Sequence, residues 1–214
     1  MGSCCARHGQ DEFFKDRFAR RAARRYRKKG LGKTSQLLVE LASAGGLDGA
    51  TVADIGGGVG QIMLELLKAG AARGEVVELL PAYEEHARAL AGEAGVAERA
   101  CFRTADLVAD PAAGEPADVV VMNRVVCCTP DGVELAGIAA SLAKRRLVLV
   151  FPRPSFPASV VVGLQNLYFR LLRRRFRVFI HPPAAITAAA AAQGMHLALE
   201  HKGRVWQVAV FARA

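Results

Sequence analysis

The densest chemical signal in this 214-residue chain is Val52-Ala53-Asp54-Ile55-Gly56-Gly57-Gly58-Val59-Gly60. Glycine adopts backbone conformations that a side chain forbids, so glycines at Gly56, Gly57, Gly58 and Gly60 let a ligand lie against the main chain. Tight strand-to-helix packing is the competing explanation. A dinucleotide turn needs a third glycine where Gln61 stands, and no lysine followed by Ser or Thr marks a phosphate loop. Further on, His181 in Phe179-Ile180-His181-Pro182-Pro183 is the candidate general base, because imidazole titrates near neutrality. An ordinary loop histidine accounts for it equally. Asn166, Tyr168 and Arg170 share a helix that could line a substrate pocket or simply meet solvent. Cys127 and Cys128 close an apolar run and are substrate candidates. No Ser-His-Asp order and no paired carboxylates present themselves.

These residues need a scaffold. Residues 50–55 form a short apolar run, the glycine turn follows, and 61–69 has helical spacing, which together open a βαβ unit. Strands are expected at 74–80, 100–104, 118–126 and 146–151, with helices at 81–92, 132–143, 157–175 and 183–193. The Val-rich 118–126 run reads as a strand buried on both faces. Residues 195–201 and 204–212 flank Lys202-Gly203 as an antiparallel hairpin. The expected fold is therefore α/β, a Rossmann-like doubly wound, mostly parallel sheet with a C-terminal antiparallel hairpin. Two helices precede it, at 12–29 and 33–44. In the first, Phe14, Phe18, Ala22 and Tyr26 recur every fourth residue.

Composition narrows the class. Half the residues are hydrophobic (52%), which excludes wholesale disorder. No apolar run reaches the roughly 18 residues of a membrane span, and no signal-peptide core follows Met1. Gly2 resembles a myristoylation site, but Ala6 stands where Ser or Thr is needed. The net charge of +9 is concentrated, since residues 15–29 hold nine basic residues against Asp16 alone. Cys4, Cys5, Cys101, Cys127 and Cys128 form an odd set with two adjacent pairs, a poor disulfide framework and the wrong spacing for zinc. Reduced thiols, no metal and a cytoplasmic location are expected.

The segment Asp54-Ile55-Gly56-Gly57-Gly58-Val59-Gly60 resembles the first motif, D/E-x-G-x-G-x-G, of the class I S-adenosyl-L-methionine-dependent methyltransferases. The resemblance runs over roughly residues 35–214. It is strongest to a bacterial small-molecule branch similar, in the cofactor domain, to magnesium-protoporphyrin O-methyltransferases. It implies S-adenosyl-L-methionine as cofactor, with the glycine loop around its amino-acid part and Asp54 toward its amino group. It implies that Glu78, with Leu79 beside it, binds the ribose hydroxyls, since a carboxylate accepts two hydrogen bonds. A strand-end charge is the other reading of Glu78. Asp106 would meet the adenine and Leu107 line its pocket, although Asp is also a common helix cap. Asn123 and Arg124 would border cofactor and substrate. The family often has a polar residue where Leu79-Leu80 stands and an acid near Asn123, so both positions depart from its pattern.

These residues divide the chain into a basic helical arm, 1–32, and a methyltransferase domain, 33–214. The expected function is methyl transfer by in-line displacement to a small molecule, with the arm as a lid over the pocket. Cys4-Cys5 in that arm could approach Cys127-Cys128. An RNA or other nucleic-acid methyltransferase is the first alternative, with Arg20, Arg21, Arg24, Arg25, Arg27, Lys28 and Lys29 on phosphates and Tyr26 stacking. A non-catalytic Rossmann-like binding module is the second.

Overall fold

The computed structural model describes residues 8–213. Its sheet has seven strands: β1 (Thr51–Ile55), β2 (Arg73–Glu78), β3 (Ala100–Thr104), β4 (Ala117–Asn123), β5 (Ala143–Pro152), β6 (Met195–Lys202) and β7 (Trp206–Arg213). Their order is β3-β2-β1-β4-β5-β7-β6. The first five run parallel, and the β6–β7 hairpin is antiparallel at the edge. The expected fold is thus borne out. The order reverses between β1 and β4, and open α/β sheets bind ligands where the strand order reverses, outside the carboxyl ends of the strands.

Helices cover both faces. Strand residues alternate between the two because successive side chains point to opposite sides. Val119 and Val121 of β4, with Val148 and Val150 of β5, join a core that includes Leu38, Ile62, Met63 and Leu66. Those side chains come from α3 (Lys33–Ser43) and α4 (Gln61–Lys68). Val120, Met122, Leu147 and Leu149 face the other way, onto Ala136, Ala139, Ile186 and Ala190. The helices there are α6 (Gly132–Leu142) and α8 (Pro183–Ala191), whose small residues permit close approach. Each fully buried Val or Leu contributes about 1.5–3 kcal/mol relative to exposure. The remaining helices are α1 (Gln10–Phe13), α2 (Asp16–Lys29), α5 (Glu84–Glu93) and α7 (Phe156–Leu171). No helix among the described residues is long and apolar enough to cross a membrane.

Of the boundaries that differ from expectation, three have a clear local reason. The helix expected over 12–29 breaks at Phe14 and Lys15 into α1 and α2. The break lets Phe13, Phe14 and Phe18 pack on one another, with Phe13 and Phe14 also against Phe176. The strand expected over 118–126 ends at Asn123, because Arg124 turns left-handed at φ 64° and a 3-10 turn, Val126–Cys128, follows. The apolar run therefore continues past the strand. The helix expected over 157–175 ends at Leu171, with Arg173 left-handed at φ 53° and Arg175 turned onto Glu12.

Candidate functional site

A cavity of about 290 Å³ opens at the carboxyl ends of β1, β2 and β4. Its floor is the glycine turn. Gly56 and Gly58 are left-handed, at φ 65° and 57°. A Cβ on Gly56 would come within 2.6 Å of Val125, and one on Gly57 within 2.6 Å of Asp54, so both positions require glycine. Gly60, at φ 73°, stands at the start of α4 and shapes the turn from below without lining the cavity.

Asp54, the residue before the last of β1, has its side chain fully buried. One oxygen accepts a hydrogen bond from the Met63 backbone N–H at 3.3 Å, whereas Oδ1 is buried without a partner. Burial, with the nearby Glu78 charge adding to it, pushes the carboxyl up to about 7. A buried acceptor left unsatisfied is costly, so this oxygen marks a place for a donor or cationic ligand group. Glu78 ends β2. Its oxygens accept from the Gly58 N–H at 2.9 Å and the Leu80 N–H at 3.1 Å, which ties the glycine turn to the second strand. Burial pushes its carboxyl up as well. Each oxygen keeps a lone pair for a hydroxyl. Leu79 lies beside it in the wall.

On the next wall, Asp106 accepts from the Val108 and Ala109 N–H groups at 3.1 and 3.2 Å, so it does cap a turn while lining the cavity with buried Leu107. Asn123 ends β4 and donates to Ser35 Oγ at 3.1 Å, leaving its buried amide oxygen unpartnered. Arg124 lies over the Trp206 ring, 4.5 Å from its centre, which pins the turn after β4. Both line the cavity, and so does Cys128. Cys127 is buried behind them. The two sulfurs stand 4.0 Å apart. Cys4 and Cys5 lie outside the described residues, so their approach to this pair stays an expectation. Among the described residues, no group of three or more His, Cys, Asp or Glu could hold a metal ion.

The arm forms the cavity's outer wall through Phe14, Phe18 and Ala22. It also brings two polar groups absent from the expectations. His8 Nε2 stands 3.2 Å from Asp131 Oδ2, and buried Gln10 donates to the Cys128 carbonyl at 3.3 Å. All three line the cavity. His8 and Asp131 are 123 residues apart, and nothing in their spacing announces the pair.

His181, Asn166 and Tyr168 are placed elsewhere. His181 Nε2 contacts the Thr129 carbonyl at 3.0 Å, and a Cβ on Gly132 would run into its ring. It therefore braces the loop that carries Asp131. Asn166 exchanges two 2.8 Å hydrogen bonds with the Val178 backbone, clasping α7 to the returning chain. Tyr168 is exposed on the outer face of α7.

No family model matches the chain, and no curated protein matches it either. Solved structures do. The magnesium protoporphyrin IX methyltransferase of Synechocystis PCC 6803, solved with bound SAH, has a TM-score of 0.74 at 22% sequence identity, over 95% of this chain and 97% of that one. An O-methyltransferase family protein from Burkholderia thailandensis has a TM-score of 0.70 at 21% identity, over 94% of this chain and 63% of that one. An O-methyltransferase family 2 protein from Planctomyces limnophilus, in complex with apigenin, has a TM-score of 0.69 at 17% identity, over 93% and 62%. The strand order, the glycine turn and these superpositions together show that the chain has the fold of the class I S-adenosyl-L-methionine-dependent methyltransferases.

Proposed function

We propose that the chain is an S-adenosyl-L-methionine-dependent methyltransferase acting on a small, largely apolar molecule. The observation that carries this reading is the buried Asp54 carboxylate, whose Oδ1 lacks a partner beside a turn that only glycine can form. The residues present fit the cofactor. Asp54 suits its ammonium, Glu78 its ribose hydroxyls, and Asp106 with Leu107 its adenine. When bound, the cofactor supplies a methyl group already activated on a sulfonium, so the chain has mainly to hold an acceptor in line and exclude water.

The arm serves both needs. Phe14 and Phe18 cover the crevice with apolar rings, and the lining of the cavity is mostly apolar, which suits a small apolar acceptor. The His8–Asp131 pair is the candidate for taking the proton that a hydroxyl acceptor loses. With Nε2 toward the carboxylate, Nδ1 is the basic nitrogen. His181 supports this pair through Thr129. The test is transfer of a labelled methyl group from S-adenosyl-L-methionine to a panel of apolar phenols, alcohols and carboxylic acids. For an acceptor that is turned over, His8→Ala lowers kcat by about 10²–10⁴-fold and leaves affinity for S-adenosyl-L-homocysteine unchanged. Unaltered kcat removes His8 from the reaction, and no transfer to any member of the panel argues against the proposed acceptor class.

A further inference from the structure

Helix α7 is built inside out for a soluble protein. Of its sixteen residues, only Ala158 and Phe169 are buried. Phe156, Val160, Leu164, Leu167 and Leu171 recur at spacings of four, four, three and four, so they form one outward stripe. Val161, Tyr168 and Leu172 widen it. Phe156 is 84% exposed, Leu164 63% and Leu171 74%. A contiguous exposed apolar face of this kind marks an interaction site. The opposite side is already committed, through Asn166 to Val178 and through Phe169 to Phe13 and Phe176.

The charge around the stripe identifies its partner. Residues 156–180, the helix and the chain returning from it, contain five arginines and no Asp or Glu. Arg170 flanks the stripe, and Arg173 and Arg174 stand exposed just beyond its end. None of these three is in an ion pair among the described residues, whereas Arg175 is held by Glu12. A second copy of the chain on this face would bring like charges together with no acid from 156–180 to meet them. An anionic lipid surface supplies both an apolar layer for the stripe and negative headgroups for the arginines. A helix of sixteen residues is short for a span and suited to lying in the interface plane.

We infer that α7 is a membrane-surface anchor that docks the protein, apolar stripe inward, on bilayers rich in anionic lipid. The consequence for the site is direct. Phe169 and Phe176 pack on Phe13, next to Phe14 in the cavity wall. Docking therefore sets the arm that covers the cavity beside a lipid phase, from which an apolar acceptor can be drawn. The anchor stands on α7 alone and does not depend on the cofactor assignment.

The experiment is flotation of the full chain with vesicles of phosphatidylcholine alone, or of phosphatidylcholine with about one-third phosphatidylglycerol. The expected result is at least about tenfold stronger binding to the anionic vesicles, weakened by salt. Leu164→Glu with Leu171→Glu abolishes it, and an unshifted thermal melt with an unchanged circular-dichroism spectrum shows that the variant is folded. Should that variant fail to fold, Arg170→Gln, Arg173→Gln and Arg174→Gln together carry the test and reduce binding several-fold. No binding to anionic vesicles overturns the inference. So does binding unaffected by both sets of substitutions, which assigns the attraction to α2. A dimer in sedimentation velocity that Leu164→Glu dissolves, without vesicle binding, makes the stripe a contact between copies and overturns it too. Competition by RNA that needs the arginines and not the leucines points to nucleic acid, with the same effect.

Discussion

Burial of Asp54 beside the glycine turn makes its protonation part of ligand binding. A carboxyl whose pKa is raised by folding binds its proton more tightly in the folded chain. Its contribution to stability is full below the unfolded value of 3.8 and is lost as pH rises through about 7. The unliganded Asp54→Asn protein is therefore more stable than wild type at about pH 8, by up to about 4 kcal/mol, and the gap closes toward pH 4. Chemical denaturation across that range measures it. A cationic ligand group favours the ionised form, so affinity for S-adenosyl-L-homocysteine rises from about pH 6 to about pH 8 in wild type and stays flat in Asp54→Asn. A flat profile in wild type contradicts the assigned partner. Gly56→Ala tests the cradle itself. Its Cβ would strike Val125 from a left-handed position, so a loss of affinity of about tenfold or more is expected, with about 1–3 kcal/mol of destabilisation. Affinity equal to wild type would show that the turn has room to spare.

At the scale of elements, the arm is where sequence and structure diverge most. The four-residue recurrence of Phe14, Phe18, Ala22 and Tyr26 is real and produces an amphipathic α2. It gives no warning that Phe13, out of phase with it, lies at 8° to the Phe176 ring with centres 5.1 Å apart. That contact depends on a partner 163 residues away and can only be seen in three dimensions. The same holds for His8 with Asp131, for Gln10 with Cys128 and for Ser35 with Asn123. Local patterns, by contrast, were legible. The glycine turn, Asp54, Glu78, Asp106 and Asn123 all stand at or just beyond the carboxyl ends of strands, although the apolar runs at Glu78 and Asn123 continue past them. His181, Asn166 and Tyr168 had the right chemistry but lie on a segment whose path after α7 no periodicity encodes. Phe13→Ala unlatches the arm from α7. Its expected effect is a higher KM for the acceptor, about tenfold, with cofactor affinity retained, which steady-state kinetics with calorimetry would separate. An unchanged KM would mean that the arm does not cover the acceptor.

Over the whole molecule, one topological fact places everything else. The sheet order reverses between β1 and β4, and the carboxyl ends of β1, β2 and β4 converge on a single crevice. Two cores, one on each face, hold those strands in register, and alternating Val and Leu side chains fill both. The fold was therefore readable from the succession of apolar runs and glycines. Which end of the sheet carries the cavity was readable from the strand-end acids. The contacts that hold the arm over the cavity, and the exposure of α7, depend on residues distant in sequence and were not. Every role proposed for the crevice turns on S-adenosyl-L-methionine binding there through Asp54. Calorimetric titration of the full chain with S-adenosyl-L-homocysteine, beside Asp54→Ala, tests it most directly. Micromolar binding by the wild type is expected, weakened at least about tenfold by the substitution, about 1.4 kcal/mol. Folded wild type that binds nothing, or Asp54→Ala that binds as tightly, would contradict it.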